Sequence, residues 1–299
     1  MNRNITVDDN DMNRLRSNIA EVSERIMDRT QLRKEVEALA KEVYKDIPNK
    51  KCVEEAQKVI HKVMLGNILA DELALLEAFD KETFEHSVRV GCITAYATCA
   101  ARFSARDYKY KATVAALLHD IGKLGLIKEV LCSSKKFAVA SEERLHLAKH
   151  TELGYVYLKE KYGHSISKCI LNVILNHHPR NTEELRNSNV MVQMIHFIDV
   201  YDARTQKRVY SEAEEKDFVM DTFGDIVTDE VYRSLIKVIP VYKKDDIIYC
   251  GTEVLRVSSY HKRSCDVLNI IVIDSNNIAR IGKRECKDMF EFRRPAQFI

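Results

Sequence analysis

Residues 114–123 are the feature of this sequence that most restricts its fold. They read VAALLHDIGK, a run of good helix formers that ends in His119 and Asp120 and continues through Gly122 to Lys123. The apolar run predicts a buried helix, and imidazole and carboxylate groups are costly to bury without partners. A divalent cation is one such partner, because imidazole nitrogen and carboxylate oxygen are common metal ligands. A hydrogen-bonded core histidine beside a capping aspartate is the alternative interpretation.

Helical apolar spacing extends over most of the chain. Four prolines and nine glycines among 299 residues favour long helices over an all-β fold with many turns. Apolar residues three and four apart predict helices over 11–45, over 53–78 and almost continuously over 80–240. Pro48 interrupts this pattern and indicates a boundary. After Pro240, β-branched runs predict a small β element of three or four strands, at 247–249, 253–257, 267–273 and 278–281.

The predicted fold class is therefore mainly α, a helical bundle with N-terminal helices and a small C-terminal β element. We predict three parts: an N-terminal helical segment at 1–50, a helical domain at 51–240 and a β-rich extension at 241–299. The amphipathic face of the N-terminal helices is typical of a packing or dimerisation surface, so a homodimer through these helices is expected.

Composition excludes several classes of protein. Hydrophobic residues make up 45% and charged residues 31% of the chain, and the formal net charge is +2. This balance is typical of a globular protein and gives no reason to expect binding to long nucleic acid. The eight cysteines are scattered without a Cys-x-x-Cys motif, which favours reduced thiols. No stretch approaches the ~20 apolar residues of a membrane span, so a cytoplasmic protein without membrane contact is expected.

Further polar groups lie near apolar helical segments and could supply metal ligands. Glu82 and His86 are four residues apart and share a helical face. Each group alone has an ordinary explanation, such as an exposed ion pair or a polar helix end. Together they offer enough nitrogen and oxygen for two divalent cations, and the mixture of histidine and carboxylate favours Fe, Mn or Zn. The candidates beside His119 and Asp120 are Glu82, His86, His150, His177, His178, Asp199 and Asp202.

This constellation resembles the HD superfamily of metal-dependent phosphohydrolases. The resemblance covers roughly residues 60–240, with His-Asp-Ile-Gly-Lys at 119–123, the double histidine at 177–178 and Asp-Val-Tyr-Asp-Ala at 199–203. Within the superfamily the match is to the HD-GYP branch, the cyclic-dinucleotide phosphodiesterases, although the Gly-Tyr-Pro motif is absent. The branch has a lysine where this chain has Ser211.

The resemblance implies a role for each candidate. His86, His119, Asp120 and Asp199 would bind one or both ions of a binuclear centre, and Asp120 would bridge the ions. The second site would be completed by His150, His177 and His178, and Glu82 has the spacing of a third-metal ligand. Lys123 and Arg208 would bind phosphate oxygens, and Asp202 or a metal-bound water would donate a proton to the leaving group. The implied cofactors are two or three divalent ions, with Fe or Mn favoured.

The implied activity is hydrolysis of a cyclic dinucleotide, such as cyclic-di-GMP or cGAMP. A hydroxide that bridges two cations would attack the phosphodiester, because bound cations make water far more acidic. Two alternatives stay open at this stage. One is a nucleotidase or phosphomonoesterase of the wider superfamily, and the other is a degenerate module that binds a nucleotide or a protein without turnover.

Overall fold

The computed structural model describes residues 5, 7–101, 106–127, 147–206, 213–214, 216–223, 226–261 and 264–288. These residues are mainly helical and end in a small antiparallel sheet, which confirms the predicted fold class. The helices are α1 Asp9–Ser23, α2 Arg29–Tyr44, α3 Lys50–Met64, α4 Asn67–Phe79, α5 Lys81–Ala100, α6 Arg106–Leu118, α7 His150–Tyr162, α8 Lys168–Asn176, α9 Thr182–Arg186, α10 Val190–Thr205, α11 Lys216–Phe223 and α12 Asp229–Ile236. The strands are β1 Ile247–Cys250, β2 Glu253–Tyr260, β3 Val267–Ser275 and β4 Arg284–Asp288.

Helix α5 lies at the centre of the bundle. The side chain of Asp80 caps its first turn by accepting a hydrogen bond from the backbone N–H of Thr83. Most of its side chains are buried, since α2, α3, α4, α6 and α10 all pack against it. A helix that is surrounded on every side is rigidly held. This position fixes His86, which lies in its second turn.

The N-terminal helices belong to the same hydrophobic core as the rest of the bundle. Leu15 of α1 and Leu32 and Val36 of α2 are fully buried within the chain. The Asn18 side chain also donates hydrogen bonds to the backbone carbonyls of Leu124, at 2.7 Å, and Leu126, at 3.2 Å. The apolar face that suggested a dimer is therefore covered within the chain. The dimer and the boundaries of the three parts stay predictions.

Two glycines allow the segment after His119 and Asp120 to lie directly on α7. Residues Ile121–Gly125 form a 3₁₀ turn, and a Cβ atom added at Gly122 would lie 1.9 Å from the backbone oxygen of His150. A Cβ atom added at Gly154 would lie 3.1 Å from the backbone nitrogen of Gly122. Only residues without side chains permit this approach, which brings His150 close to Asp120.

The C-terminal sheet has the order β1-β2-β3-β4, and every neighbouring pair is antiparallel. The first three strands agree with the sequence prediction, whereas the fourth does not. Residues 278–281 were expected to be a strand, but Ile278–Arg280 form a 3₁₀ turn in which Ile278 is 82% exposed. The fourth strand is the polar segment Arg284–Asp288. It lies at the edge of the sheet and pairs only with β3, so it needs no apolar alternation.

Two predictions from composition can be compared with the described residues. None of the helices in the described ranges is both long and apolar enough to cross a membrane. The seven cysteines within the described ranges form no disulfide bond with one another.

Candidate metal centre

Seven of the eight predicted ligands, all except Glu82, come together from five helices. His86 lies on α5, His119 follows the end of α6 and Asp120 is the next residue. His150 is the first residue of α7, His177 and His178 follow the end of α8, and Asp199 lies on α10. All are buried except His178, whose side chain is 43% exposed. The most deeply buried group, at the end of α6, therefore has the ligand-rich surroundings that the sequence predicted for it.

One group of ligand atoms forms around the first histidine. His86 Nε2 lies 2.9 Å from Asp199 Oδ1 and 3.9 Å from Asp120 Oδ2. His119 Nε2 lies 3.3 Å from Asp120 Oδ2 and 3.7 Å from Asp199 Oδ1. Two imidazoles and two carboxylates thus face a common point. Such a set matches the ligands preferred by first-row divalent metals.

A second group lies beside the first. His150 Nε2 is 3.1 Å from His177 Nε2, and His178 joins them so that one nitrogen of each ring lies within 4.8 Å of the others. His150 Nε2 is also 3.3 Å from Asp120 Oδ1. Asp120 therefore directs one oxygen towards each group. A carboxylate in this position can bridge two cations.

Three of these histidines are oriented in the same way by the backbone. Nδ1 lies 2.8 Å from the Ala116 carbonyl in His119, 2.7 Å from the Leu147 carbonyl in His150 and 2.9 Å from the Ile174 carbonyl in His177. A carbonyl oxygen only accepts hydrogen bonds, so Nδ1 carries the hydrogen in each ring. Nε2 is then the nitrogen that is directed into the centre and can serve as the ligand atom, as in metal-binding histidines.

Buried polar atoms without partners support the presence of cations. His119 Nε2, Asp120 Oδ1 and Asp199 Oδ2 are all buried and make no hydrogen bond within the described residues. Leaving such atoms unpaired costs about 1–3 kcal/mol each, and more for charged groups. All three face the two ligand groups. The residues present therefore fit divalent cations, and the donor set of imidazole and carboxylate matches them.

Electrostatic interactions within the protein reinforce this arrangement. Burial alone would lower the pKa of His119, but the carboxylates of Asp120 and Asp199 raise it to about 10. Burial opposes ionisation of Asp120 and Asp199, yet neighbouring histidines hold the pKa of each carboxyl well below its usual range. Burial also lowers the pKa of His177, which keeps its ring neutral at neutral pH. The centre thus holds two ionised carboxylates and the neutral ring of His177, all of which can act as metal ligands.

Asp202 does not face the ligand groups in the way that a proton donor would. Its Oδ2 lies 2.7 Å from His86 Nδ1, on the opposite side of the ring from Asp199. Arg89 Nε donates to Asp202 at 2.9 Å and 3.1 Å, and the carboxyl group is 1% exposed. These cationic and imidazole neighbours outweigh burial and lower its pKa. The expected role as a leaving-group acid therefore disagrees with the geometry, in which Asp202 orients His86.

The structure supports a role at the centre for only one of the remaining predicted residues, Lys123. Lys123 Nζ lies 2.6 Å from Asp120 Oδ2, so it reaches the centre. Glu82 is partly exposed one turn before His86 and belongs to none of the three groups of converging ligand atoms found among the described residues. The third-metal role of Glu82 thus has no support in this geometry. Arg208 and Ser211 lie outside the described residues.

Two polar residues of the centre were missed by the sequence analysis. Arg89 lies three residues after His86, and His196 lies three residues before Asp199, so each shares a helical face with a ligand. His196 Nδ1 lies 2.6 Å from the backbone carbonyl of His177, and its ring centroid is 6.2 Å from that of His178. Helical spacing from a predicted ligand was the signal that could have identified both.

Comparison with protein families agrees with this geometry. Residues 83–204 match the family model described as the HD domain. This range includes seven of the eight proposed metal ligands, all except Glu82, together with Asp202. Residues 83–204 therefore form an HD domain, the domain of the HD superfamily of metal-dependent phosphohydrolases. No curated protein and no solved structure matches the chain.

Proposed function

We propose that this protein is a binuclear metal-dependent phosphodiesterase that hydrolyses a cyclic dinucleotide or a closely related nucleotide. The observation that carries the proposal is the position of Asp120 between two groups of ligands. His86, His119 and Asp199 would hold one cation, and His150, His177 and His178 would hold the other. Fe or Mn would suit this mixture of imidazole and carboxylate.

Two bound cations would acidify water and polarise the phosphoryl group at neutral pH. The residues of the chain have separate tasks. Lys123, which forms an ion pair with Asp120 at 2.6 Å, is close enough to bind a phosphate oxygen that approaches the same carboxylate. Buried backbone contacts hold the histidine rings in one orientation, so little reorganisation is needed when a substrate binds. The exposed edge of His178 marks the side from which a substrate can enter.

The substrate class rests on two supports. The sequence resembles the cyclic-dinucleotide branch of the superfamily at the metal motifs, and the centre offers cationic groups for a phosphodiester. The activity is tested by metal analysis of protein purified without oxygen, followed by assays with bis(p-nitrophenyl) phosphate and p-nitrophenyl phosphate. About two metal ions per chain and cleavage of the diester are expected.

A panel of cyclic dinucleotides then identifies the substrate. Cleavage of the monoester alone would replace the diesterase assignment with a phosphomonoesterase. Metal binding without hydrolysis of either ester would contradict an enzymatic function. Protein reconstituted with Mn²⁺ and with Fe²⁺ should be assayed side by side, so that loss of metal during purification is not mistaken for a lack of activity.

A further inference from the structure

His196 has the same hydrogen-bonded orientation as three of the proposed metal ligands but lies outside their groups. Its Nδ1 is 2.6 Å from a backbone carbonyl, that of His177, so Nδ1 carries the hydrogen and Nε2 has a lone pair. His119, His150 and His177 contact carbonyls of their own helical turns, whereas His196 reaches from α10 to the end of α8. The backbone therefore holds this ring firmly in place without occupying Nε2.

The ring of His196 lies beside His178, at the exposed part of the centre. His196 is only partly buried, and no described residue forms a hydrogen bond with its Nε2. Its ring is perpendicular to that of His178 at 6.2 Å between centroids, and His178 is the most exposed of the proposed ligands. His196 belongs to none of the groups of converging ligand atoms in the described ranges, so it is not assigned to a cation. It offers a hydrogen-bond acceptor next to the place where a substrate would enter.

The chemistry of Nε2 limits what it can contact. A phosphodiester oxygen has no hydrogen at neutral pH, so a neutral imidazole acceptor does not bind it. Imidazole Nε2 therefore needs a hydrogen-bond donor. In a nucleotide, the ribose 2′-hydroxyl is the hydrogen-bond donor closest to the 3′-phosphate, because it is attached to the neighbouring carbon of the sugar. The amino groups of the base are farther from the phosphate. A phosphate held beside His178 would therefore bring the 2′-hydroxyl, rather than the base, into the neighbourhood of His196.

We propose that His196 Nε2 accepts a hydrogen bond from the ribose 2′-hydroxyl next to the bound phosphate, so that the centre selects ribonucleotides over deoxyribonucleotides. This inference rests on the proposed function, because it requires a nucleotide bound at the metal centre. His196 is then a specificity-determining residue that contacts the sugar, and it takes no part in holding the cations.

The test compares binding of two dinucleotides to the Mn²⁺-loaded protein by calorimetry. The probes are phosphorothioate-linked GpG, whose slow cleavage permits titration, and its 2′-deoxy counterpart. The wild-type protein should bind the ribonucleotide about tenfold more tightly, the value of one hydrogen bond. In His196→Asn the ratio of the two dissociation constants should fall close to one. Asparagine keeps a donor near the position of Nδ1 for the His177 carbonyl but removes the acceptor at Nε2.

Two further variants separate recognition of the sugar from a structural effect. His196→Gln, whose side chain places an amide oxygen near the position of Nε2, should keep part of the preference. His164→Asn changes an exposed histidine beyond the far end of α7 and should keep all of it. If His196 only supported the His177 backbone, its substitution would weaken the binding of both dinucleotides equally. The ratio of their dissociation constants would then be unchanged, and this result would overturn the inference.

The remaining outcomes separate this inference from the proposed function. A wild-type protein that cleaves bis(p-nitrophenyl) phosphate but binds both dinucleotides equally would contradict the role of His196 alone. A wild-type protein that cleaves the diester and binds neither dinucleotide would contradict the nucleotide class, and the role of His196 with it. A protein with neither activity nor binding would remove both proposals.

Discussion

Asp120 is the residue on which the centre depends most. Its Oδ2 faces His119 at 3.3 Å, and its Oδ1 faces His150 at 3.3 Å. Each oxygen of Asp120 is thus directed towards a different group of ligands. The ammonium group of Lys123 lies 2.6 Å from Asp120 Oδ2 and partly offsets the charge of the carboxylate. Removing one oxygen of this carboxylate should therefore affect both groups together.

We expect Asp120→Asn to lose bound metal from both groups and to abolish phosphodiester hydrolysis, because an amide cannot bridge two cations as a carboxylate does. Metal analysis and the bis(p-nitrophenyl) phosphate assay measure the two effects. Asp107→Asn is the matched control, since Asp107 lies exposed on α6, the helix that ends just before His119. Retention of both metals and of wild-type turnover by Asp120→Asn would exclude the bridging role.

Arg89 is expected to act on the metal through two other side chains. It holds the carboxylate of Asp202, which in turn contacts His86 Nδ1. Loss of a hydrogen-bonding partner behind a ligand commonly weakens metal affinity by about 10–100-fold. Arg89→Met should show such a loss in a Mn²⁺ titration, and Arg89→Lys should restore part of it. A circular dichroism spectrum like that of wild type will show that the helices are intact.

Wild-type Mn²⁺ affinity in Arg89→Met would show that Arg89 has no positioning role. A weaker affinity with no recovery in Arg89→Lys would instead indicate that the contact of Arg89 Nε with both oxygens of Asp202 is required.

Sequence patterns singled out the side chains that converge at the centre, because metal chemistry restricts the residue types that can serve as ligands. His119 and Asp120 stand out in an apolar run, and the double histidine follows another. The role of Asp202 was not predictable in this way, because its contacts with His86 and Arg89 span 116 and 113 residues of the chain. A spacing of three residues places Asp202 and Asp199 on the same face of α10. The spacing does not predict which nitrogen of His86 each carboxylate contacts.

At the scale of helices, the contact between the 3₁₀ turn and α7 sets the distance between the two ligand groups. Gly122 permits the turn to approach within van der Waals distance of the α7 backbone. Any side chain at this position would collide with backbone atoms, which cannot rotate away. The separation of Asp120 from His150 therefore depends on a residue that binds nothing itself.

We expect Gly122→Ala to lower the free energy of unfolding by about 1–3 kcal/mol, the usual cost of an overpacked site. It should also weaken metal binding by the group that contains His150. Thermal denaturation and metal stoichiometry measure these effects. Gly66→Ala is the control, because Gly66 has a φ of −72° and an added Cβ would meet its nearest atom at 3.2 Å. Equal stability of the Gly122→Ala and Gly66→Ala variants would show that the close contact between Gly122 and the α7 backbone does not limit the size of the residue at this position.

Helical segments were predicted more accurately than the last strand. Apolar spacing correctly predicted that the region containing α5, α6 and α10 is helical, because each of these helices buries a face against the core. The edge strand Arg284–Asp288 has no such face, and its pairing with β3 is a contact between backbones that no side-chain pattern reports. The β-branched residues of 278–281 were misleading because they are exposed in a turn.

At the scale of the whole molecule, metal binding and protonation are expected to be coupled. The pKa of His119 is raised to about 10 by the adjacent carboxylates, so in metal-free protein at neutral pH this ring carries a proton that a cation must displace. Mn²⁺ affinity should therefore rise with pH, by about tenfold per unit when one proton is released. Calorimetry in buffers with different ionisation enthalpies counts the protons.

The same coupling should appear in thermal stability. A cation that binds only the folded chain raises the melting temperature, and a chelator reverses the effect. The increase caused by a fixed Mn²⁺ concentration should be larger at pH 8 than at pH 6. An increase that is the same at both values would show that His119 does not release a proton on binding.

Because one carboxylate serves both halves of the centre, the two cations should not load independently. The first to arrive fixes the plane of the Asp120 side chain and thereby prepares the remaining oxygen for its neighbour. Chains carrying a single ion should be scarce at every concentration, and hydrolysis should rise sigmoidally as metal is added back to the empty protein.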